Sequence, residues 1–280
     1  VENDNFEMKK AYLCFHQGWT DIVCFLPQIN YYCQFYDHLI VFFREEARDL
    51  VTFYTRDMEK VTPVFLKTDN GAHLFQYRHP SFIEDYDYLF HGQYEIMRKD
   101  EYKYACRKNT AEMQAGRGGY DFFVESFYEL YGIPHSARVD YFEFTRDYAL
   151  EEKRYNEFIK EHGENYILCH YDNNNSQHGP LFRSNTHLDI KSDKHEVVNL
   201  NKMSNIFFDF IKIISHAKEI HVVDSVWGVF IYQLDAKYSI LQGAPVNAYC
   251  NRGQPGRDDK IMRKMFNSPI KLPNWNIIGP

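Results

Sequence analysis

The chain has 280 residues, 44% of them hydrophobic and 25% charged, the composition of a globular protein with one large core or two modest ones. Its formal net charge of −7 argues against a general nucleic-acid binder, which needs a basic face. No apolar run approaches the ~20 residues needed to span a bilayer, so neither a nucleic-acid partner nor a transmembrane segment is expected.

The first ten residues, VENDNFEMKK, are acidic and polar, unlike a signal peptide. The six cysteines (Cys14, Cys24, Cys33, Cys106, Cys169, Cys250) form no CxxC pair, and most lie in apolar runs as small buried hydrophobes do. Reduced thiols and a cytoplasmic location are the expectation.

Residues 11–16 read as a short buried strand, followed by QGWTD and a helix over 22–36 that carries Pro27 in its early part, where a missing amide costs little. HLIVFFR (38–44) is a second strand, EEARDLVTFYTRD (45–57) a helix with acidic residues at its start, and VTPVFLK (61–67) a third strand. The stretch 71–108 mixes His, Tyr and acidic residues without a period. AGRGG (115–119) breaks the chain, YDFFVESFYELYGIP (120–134) has helical spacing, and ARVDYFEFTRD (137–147) alternates as a strand does.

A second block starts at 148. It reads as a charged helix ended by Gly163, a strand at 165–171, a polar loop, a strand at 195–201 and a helix at 205–217. A strand at 218–225 and a helix at 226–236 follow, then a tail rich in Gly, Pro and basic residues. Two blocks of strand–helix alternation, joined near 145, predict an α/β protein with parallel sheets.

In such sheets ligands bind beyond the carboxyl ends of strands, where the next helix presents its first-turn amides. Two places have this form: QGWTD after the first strand, and DSVWG after the strand at 218–223. One lies in each block, an arrangement suited to a two-substrate enzyme.

GWTDIVCFLPQI resembles the GxGDxxxxxP opening of sugar transferases of the bacterial heptosyltransferase type. VVNLNKMSNIFFDFIKIISHAKEIHVVDSVWGVFIYQL resembles their donor-domain stretch, and the layout is similar to the GT-B glycosyltransferases of bacteria and large DNA viruses. Length and element order also resemble the chlorovirus xylosyltransferases that build capsid glycans. The likeness covers most of the chain except roughly residues 68–118.

The resemblance implies two facing Rossmann-like domains with parallel sheets and a central cleft. Residues 1–145 would bind the acceptor and 146–265 the nucleotide-sugar donor, with 266–280 packing back on the N-terminal domain. The implied reaction is metal-independent, inverting transfer of a sugar, xylose in the viral group, from a UDP-sugar to a hydroxyl of a glycan. The UDP-sugar is a substrate, no cofactor or metal is expected, and a viral member would act in the host cytoplasm.

The resemblance makes Asp21 the general base, while its residue type and place allow an N-cap instead. The family has Gly before this Asp and the chain has Thr20, so a Gly-only turn is ruled out. Asp224 and Ser225 match the donor pair. Ser225, with the amides of Val226 and Trp227, would hold the diphosphate, although the family often has His or Ser where Trp227 and Gly228 stand.

Arg183 is the candidate donor cation, and Asn199, Lys202 and Ser204 fall where the nucleobase is held. Gly18, Trp19, His73, His79 and His91 are acceptor-side candidates, and the three histidines are reserve bases. Asp85-Tyr86-Asp87 formally matches the DxD of metal-dependent GT-A transferases, which gives one alternative. A non-catalytic sugar- or nucleotide-binding module is another.

Overall fold

The structure, a computed structural model, describes residues 8–14, 19–67, 83–90, 128, 132–170, 190–200, 206–223, 225–249 and 272–278. The first half contains β1 (Lys10–Cys14), α1 (Trp19–Tyr32), β2 (His38–Arg44), a 3-10 turn at Glu45–Ala47, α2 (Arg48–Thr55), β3 (Val61–Leu66) and β4 (Asp87–Phe90). Its four strands form one parallel sheet in the order β3-β2-β1-β4.

The second half contains α3 (Ala137–Asp140), α4 (Tyr148–His162), β5 (Tyr166–His170), β6 (Glu196–Asn199) and a 3-10 turn at Phe208–Phe210. It continues with α5 (Ile211–His216), β7 (Glu219–Val223), α6 (Val226–Tyr238), β8 (Val246–Tyr249) and β9 (Trp275–Ile278). The second sheet is also parallel, ordered β6-β5-β7-β8-β9.

Local chemistry sets the boundaries. The Asp147 carboxylate accepts from the Leu150 amide at 2.9 Å and opens α4, which Gly163 ends at φ 72°. Four of the five residues of β1, β5 and β7 are buried, as expected of central strands in a parallel sheet.

Among the described residues one large core cluster runs through both halves, and a small second one gathers Tyr12, Cys14 and Phe42. Phe53 and Phe208 stack with centroids 5.2 Å apart, and Tyr54, Phe142, Phe144 and Phe230 pack around Phe208. α1 and α6 pack against each other, which brings the two βα units together.

Pro27 belongs to this junction. α1 begins at Trp19 rather than at residue 22, so Pro27 is its ninth residue and lies in the helix interior. It has no N–H to give the carbonyl four residues back, that of Val23. Gln233 Nε2 of α6 donates to that carbonyl at 3.3 Å, and Gln233 Oε1 accepts from Arg138 Nε at 3.2 Å. The expectation that Pro27 removes little is therefore corrected: its orphaned carbonyl is answered from the other half.

Residues 137–147 are not a strand. They form α3 and then an extended connector whose carbonyls are taken by side chains from both sides. Asn30 Nδ2 donates to Tyr141 O at 2.9 Å and Glu143 O at 2.8 Å, Arg56 Nη2 to Thr145 O at 2.8 Å, and Tyr238 Oη to Phe142 O at 2.9 Å. The alternation is real, because Phe142 is fully buried and Phe144 packs beside it, but among the described residues no strand pairs with this segment.

Other differences are smaller. β4 was not anticipated. Residues 275–278 of the tail form β9 at the edge of the second sheet, where Trp275 Nε1 donates to Asp235 Oδ2 at 3.0 Å, and 266–271 lie outside the described residues. The helix expected over 120–134 falls mostly outside the described residues, although Tyr128 is helical. Among the described residues no helix is long and apolar enough to cross a membrane.

Candidate functional site

In the first sheet the chain leaves β1 for β2 on one side and returns with β4 on the other. In the second it leaves β5 for β6 and returns with β7. Each is a topological switch point, and ligands of open α/β sheets bind beyond the carboxyl ends of strands there. α1 follows β1, and α6 follows β7, so both helices start at these ends.

At the second switch point Ser225 is the N-cap of α6, with its hydroxyl accepting from the Gly228 amide at 3.4 Å. The same oxygen lies 2.8 Å from Nδ1 of His170, the last residue of β5. Ser225 Oγ has one hydrogen and two lone pairs, so it can accept from Gly228 and donate to Nδ1 together. That arrangement leaves the imidazole proton on Nε2. Asn199 closes β6 on the other side of β5, where it pairs in register with the neighbour of His170, Cys169.

The amides of Val226 and Trp227 belong to the first turn of α6, which has no intrahelical acceptors and favours an anion. The Trp227 side chain is 3% exposed and packs on Phe207, Phe210 and Phe230. Only its backbone is therefore placed to meet a ligand.

On the first-sheet side, Trp19 is the first residue of α1 and half-buried, while Asp21 is the third and 5% exposed. Asp21 is thus inside the helix, and the N-cap alternative is corrected. A carboxylate in the first turn is favourable with the helix macrodipole in any case.

The two first turns are joined by rings. Phe207 lies 6.0 Å from Trp19 and 4.5 Å from Trp227, edge-on to both. Its backbone has φ 58° and ψ −42°, a conformation that costs a side-chain-bearing residue on the order of 1–3 kcal/mol. Burying the ring returns roughly 1.5–3 kcal/mol, and each aromatic contact about 0.5–1.5 more.

The DxD residues stand elsewhere. Asp87 is the first residue of β4 and pairs with Ala11 near the start of β1, so it lies at the amino end of the sheet, and Asp85 is in the turn before it. The two carboxylates thus stand at the opposite end of the sheet from the first turn of α1. Among the described residues no cluster of His, Cys, Asp or Glu could hold a metal ion. A cavity of about 380 Å³, lined by Ile167, Ser192, His195, Glu219 and His221, lies toward the amino end of the second sheet and away from Ser225.

No protein-family model matches the chain, and no curated protein does. Among solved structures it is similar to the glycosyl transferase family 9 protein of Veillonella parvula, at 11% identity. That likeness covers 97% of this chain and 87% of that one, with a TM-score of 0.52. The chain has the GT-B fold.

On the GT-B frame, Asp21, Trp19, Ser225, Val226, Trp227 and Asn199 all lie at carboxyl-end positions. Gly18, His73, His79, His91, Arg183, Lys202, Ser204 and Asp224 lie outside the described residues. His170 and Phe207 were not singled out from the sequence. The signal for His170 was a polar residue ending the apolar run NYILC; Phe207 has none, because its backbone angles leave no mark in FFDF.

Proposed function

We propose that the protein is a glycosyltransferase that moves a sugar from a UDP-linked donor to a hydroxyl of a glycan. The acceptor oxygen attacks the anomeric carbon and gives its proton to the Asp21 carboxylate. The bond from that carbon to the diphosphate breaks, UDP leaves with the electron pair, and the configuration inverts. In this reading the first half binds the acceptor and the second the donor.

The diphosphate lies against the first turn of α6, held by the Val226 and Trp227 amides and by Ser225, with His170 beside it. Asn199 faces the nucleobase, with Lys202 and Ser204 as further candidates there, and Arg183 is the candidate cation for the diphosphate. Helix amides and side-chain donors stabilise the leaving charge, so no metal is invoked. Xylose is the sugar implied by the viral resemblance, and the cytoplasm the expected location.

One observation carries the reading. The first turn with the carboxylate and the first turn with the capping serine lie at the carboxyl ends of two parallel sheets, and their helices pack side by side. The similarity to a glycosyl transferase family 9 structure along nearly the whole chain supports the same class.

A thermal-shift panel of UDP-, GDP-, ADP- and CMP-sugars tests it, because a ligand of the native state raises the melting temperature by mass action. A UDP-sugar should stabilise the protein and be turned over in EDTA with a glycan acceptor. Stabilisation by none of the four classes would overturn the reading; binding without turnover would favour the non-catalytic module.

A further inference from the structure

Phe207 adopts a backbone that its own segment does not require of a phenylalanine. Its φ of 58° and ψ of −42° place it in the middle of a γ-turn closed by the Phe208 amide on the Ile206 carbonyl at 2.6 Å. Turns of this hand are rare and strained, and glycine adopts them at no steric cost. A buried aromatic ring stands here instead.

The ring has neighbours in both halves. It meets Trp227 edge-on at 74° and Trp19 at 70°. Trp227 is itself held by Phe210 and Phe230, so on the α6 side the contact is fixed. Phe207 therefore acts as a spacer between the start of α1 and the start of α6. Asp21 is two residues beyond Trp19, and Ser225 two residues before Trp227.

We propose that Phe207 is a positioning residue that sets the first turn of α1 against the first turn of α6, and with it Asp21 relative to Ser225. What the spacing serves rests on the transferase reading; the spacing itself does not. Strained backbone persists where surrounding contacts over-determine it, and it concentrates at functional sites. Group transfer needs reacting atoms within about 3–3.5 Å, and a displacement of ~1 Å costs on the order of 10²-fold in rate.

Phe207→Leu and Phe207→Tyr in the full chain test this. Leu keeps an apolar side chain but removes the ring, and Tyr keeps the ring. Amide hydrogen exchange needs no ligand: α1 should exchange faster in the Leu variant, while the Tyr variant matches wild type. A purely local role would loosen only residues 206–216.

With the UDP-sugar that wild type turns over, kcat should fall by roughly 10–10²-fold in Leu and recover to within a few-fold in Tyr. The dissociation constant for UDP should stay within about twofold. Unchanged α1 exchange and unchanged kcat in an active protein would overturn the proposal alone, as would a loss of UDP affinity in step with kcat. An inactive wild type whose α1 still loosens in the Leu variant would overturn the transferase reading and uphold the placement of Phe207.

Discussion

Gln233 on α6 donates to the carbonyl of Val23 on α1, the acceptor that Pro27 leaves without a helical partner. A proline in a helix interior normally forfeits that bond. Here the forfeited bond joins the two halves of the molecule.

Gln233→Leu should therefore destabilise the protein by about 1–3 kcal/mol, the cost of unsatisfied buried polar groups. In a Pro27→Ala background the Val23 carbonyl regains a helical donor, and the same substitution should cost less, by roughly 0.5–1.5 kcal/mol. Urea denaturation of the four proteins measures the coupling. Strict additivity would show that the two residues do not share this carbonyl.

Phe208 stacks on Phe53 and also touches Tyr54, Phe142, Phe144 and Phe230, so it belongs to the cores of both sheets. Phe208→Ala should cost about 3–5 kcal/mol. Because the core is shared, far-ultraviolet circular dichroism and tryptophan fluorescence should still report one coincident transition in wild type. Separate transitions would mean that the halves unfold independently.

Burial, and after it the neighbouring Arg138 guanidinium, pushes His135 down to about 4. Between that value and 6.5 the unfolded chain binds a proton that the native state does not. Stability is then fully present above pH 6.5 and is lost as the pH falls toward 4. The full shift would correspond to roughly 3 kcal/mol, and the partial exposure of the ring reduces this to about 1–2. Burial also pushes His221 down, with the same sign, so the comparison must be with a variant. His135→Gln should flatten the wild-type slope between pH 6.5 and 4 in urea titrations, and an unchanged slope would refute the assignment.

At the donor side, Ser225→Ala removes the cap of α6 and the partner of His170 Nδ1 together. UDP affinity should fall, and His170→Gln should weaken it as well. The double variant should lose less than the sum, since the two groups act as a unit. Isothermal titration of UDP into all four proteins checks this. An unchanged dissociation constant in Ser225→Ala would place the phosphates elsewhere.

Strong periodic segments were legible in the sequence. The central strands β1, β2, β5 and β7 and the helices α4 and α6 lie where apolar runs and caps put them, because burial on both faces and side-chain capping are local signals. The segment 137–147 was misread because alternation records only which side chains are buried. A connector whose carbonyls are bonded by Asn30, Arg56 and Tyr238 alternates just as a strand does. β4 is four residues long and begins inside an acidic turn, too short for a period to show. The carboxyl-end places of Asp21 and Ser225 follow from strand-then-helix order, whereas the His170–Ser225 contact joins residues 55 apart and depends on which strands are neighbours.

The central claim is tested most directly by Asp21→Asn. Asn keeps the size of the side chain in the first turn of α1, so the melting temperature should change little. It cannot take the acceptor proton, so turnover should fall by roughly 10²–10⁴-fold. Affinity for UDP should stay near that of wild type, because the donor turn belongs to α6. Turnover within a few-fold of wild type, at unchanged melting temperature, would contradict Asp21 as the base and with it the proposed mechanism.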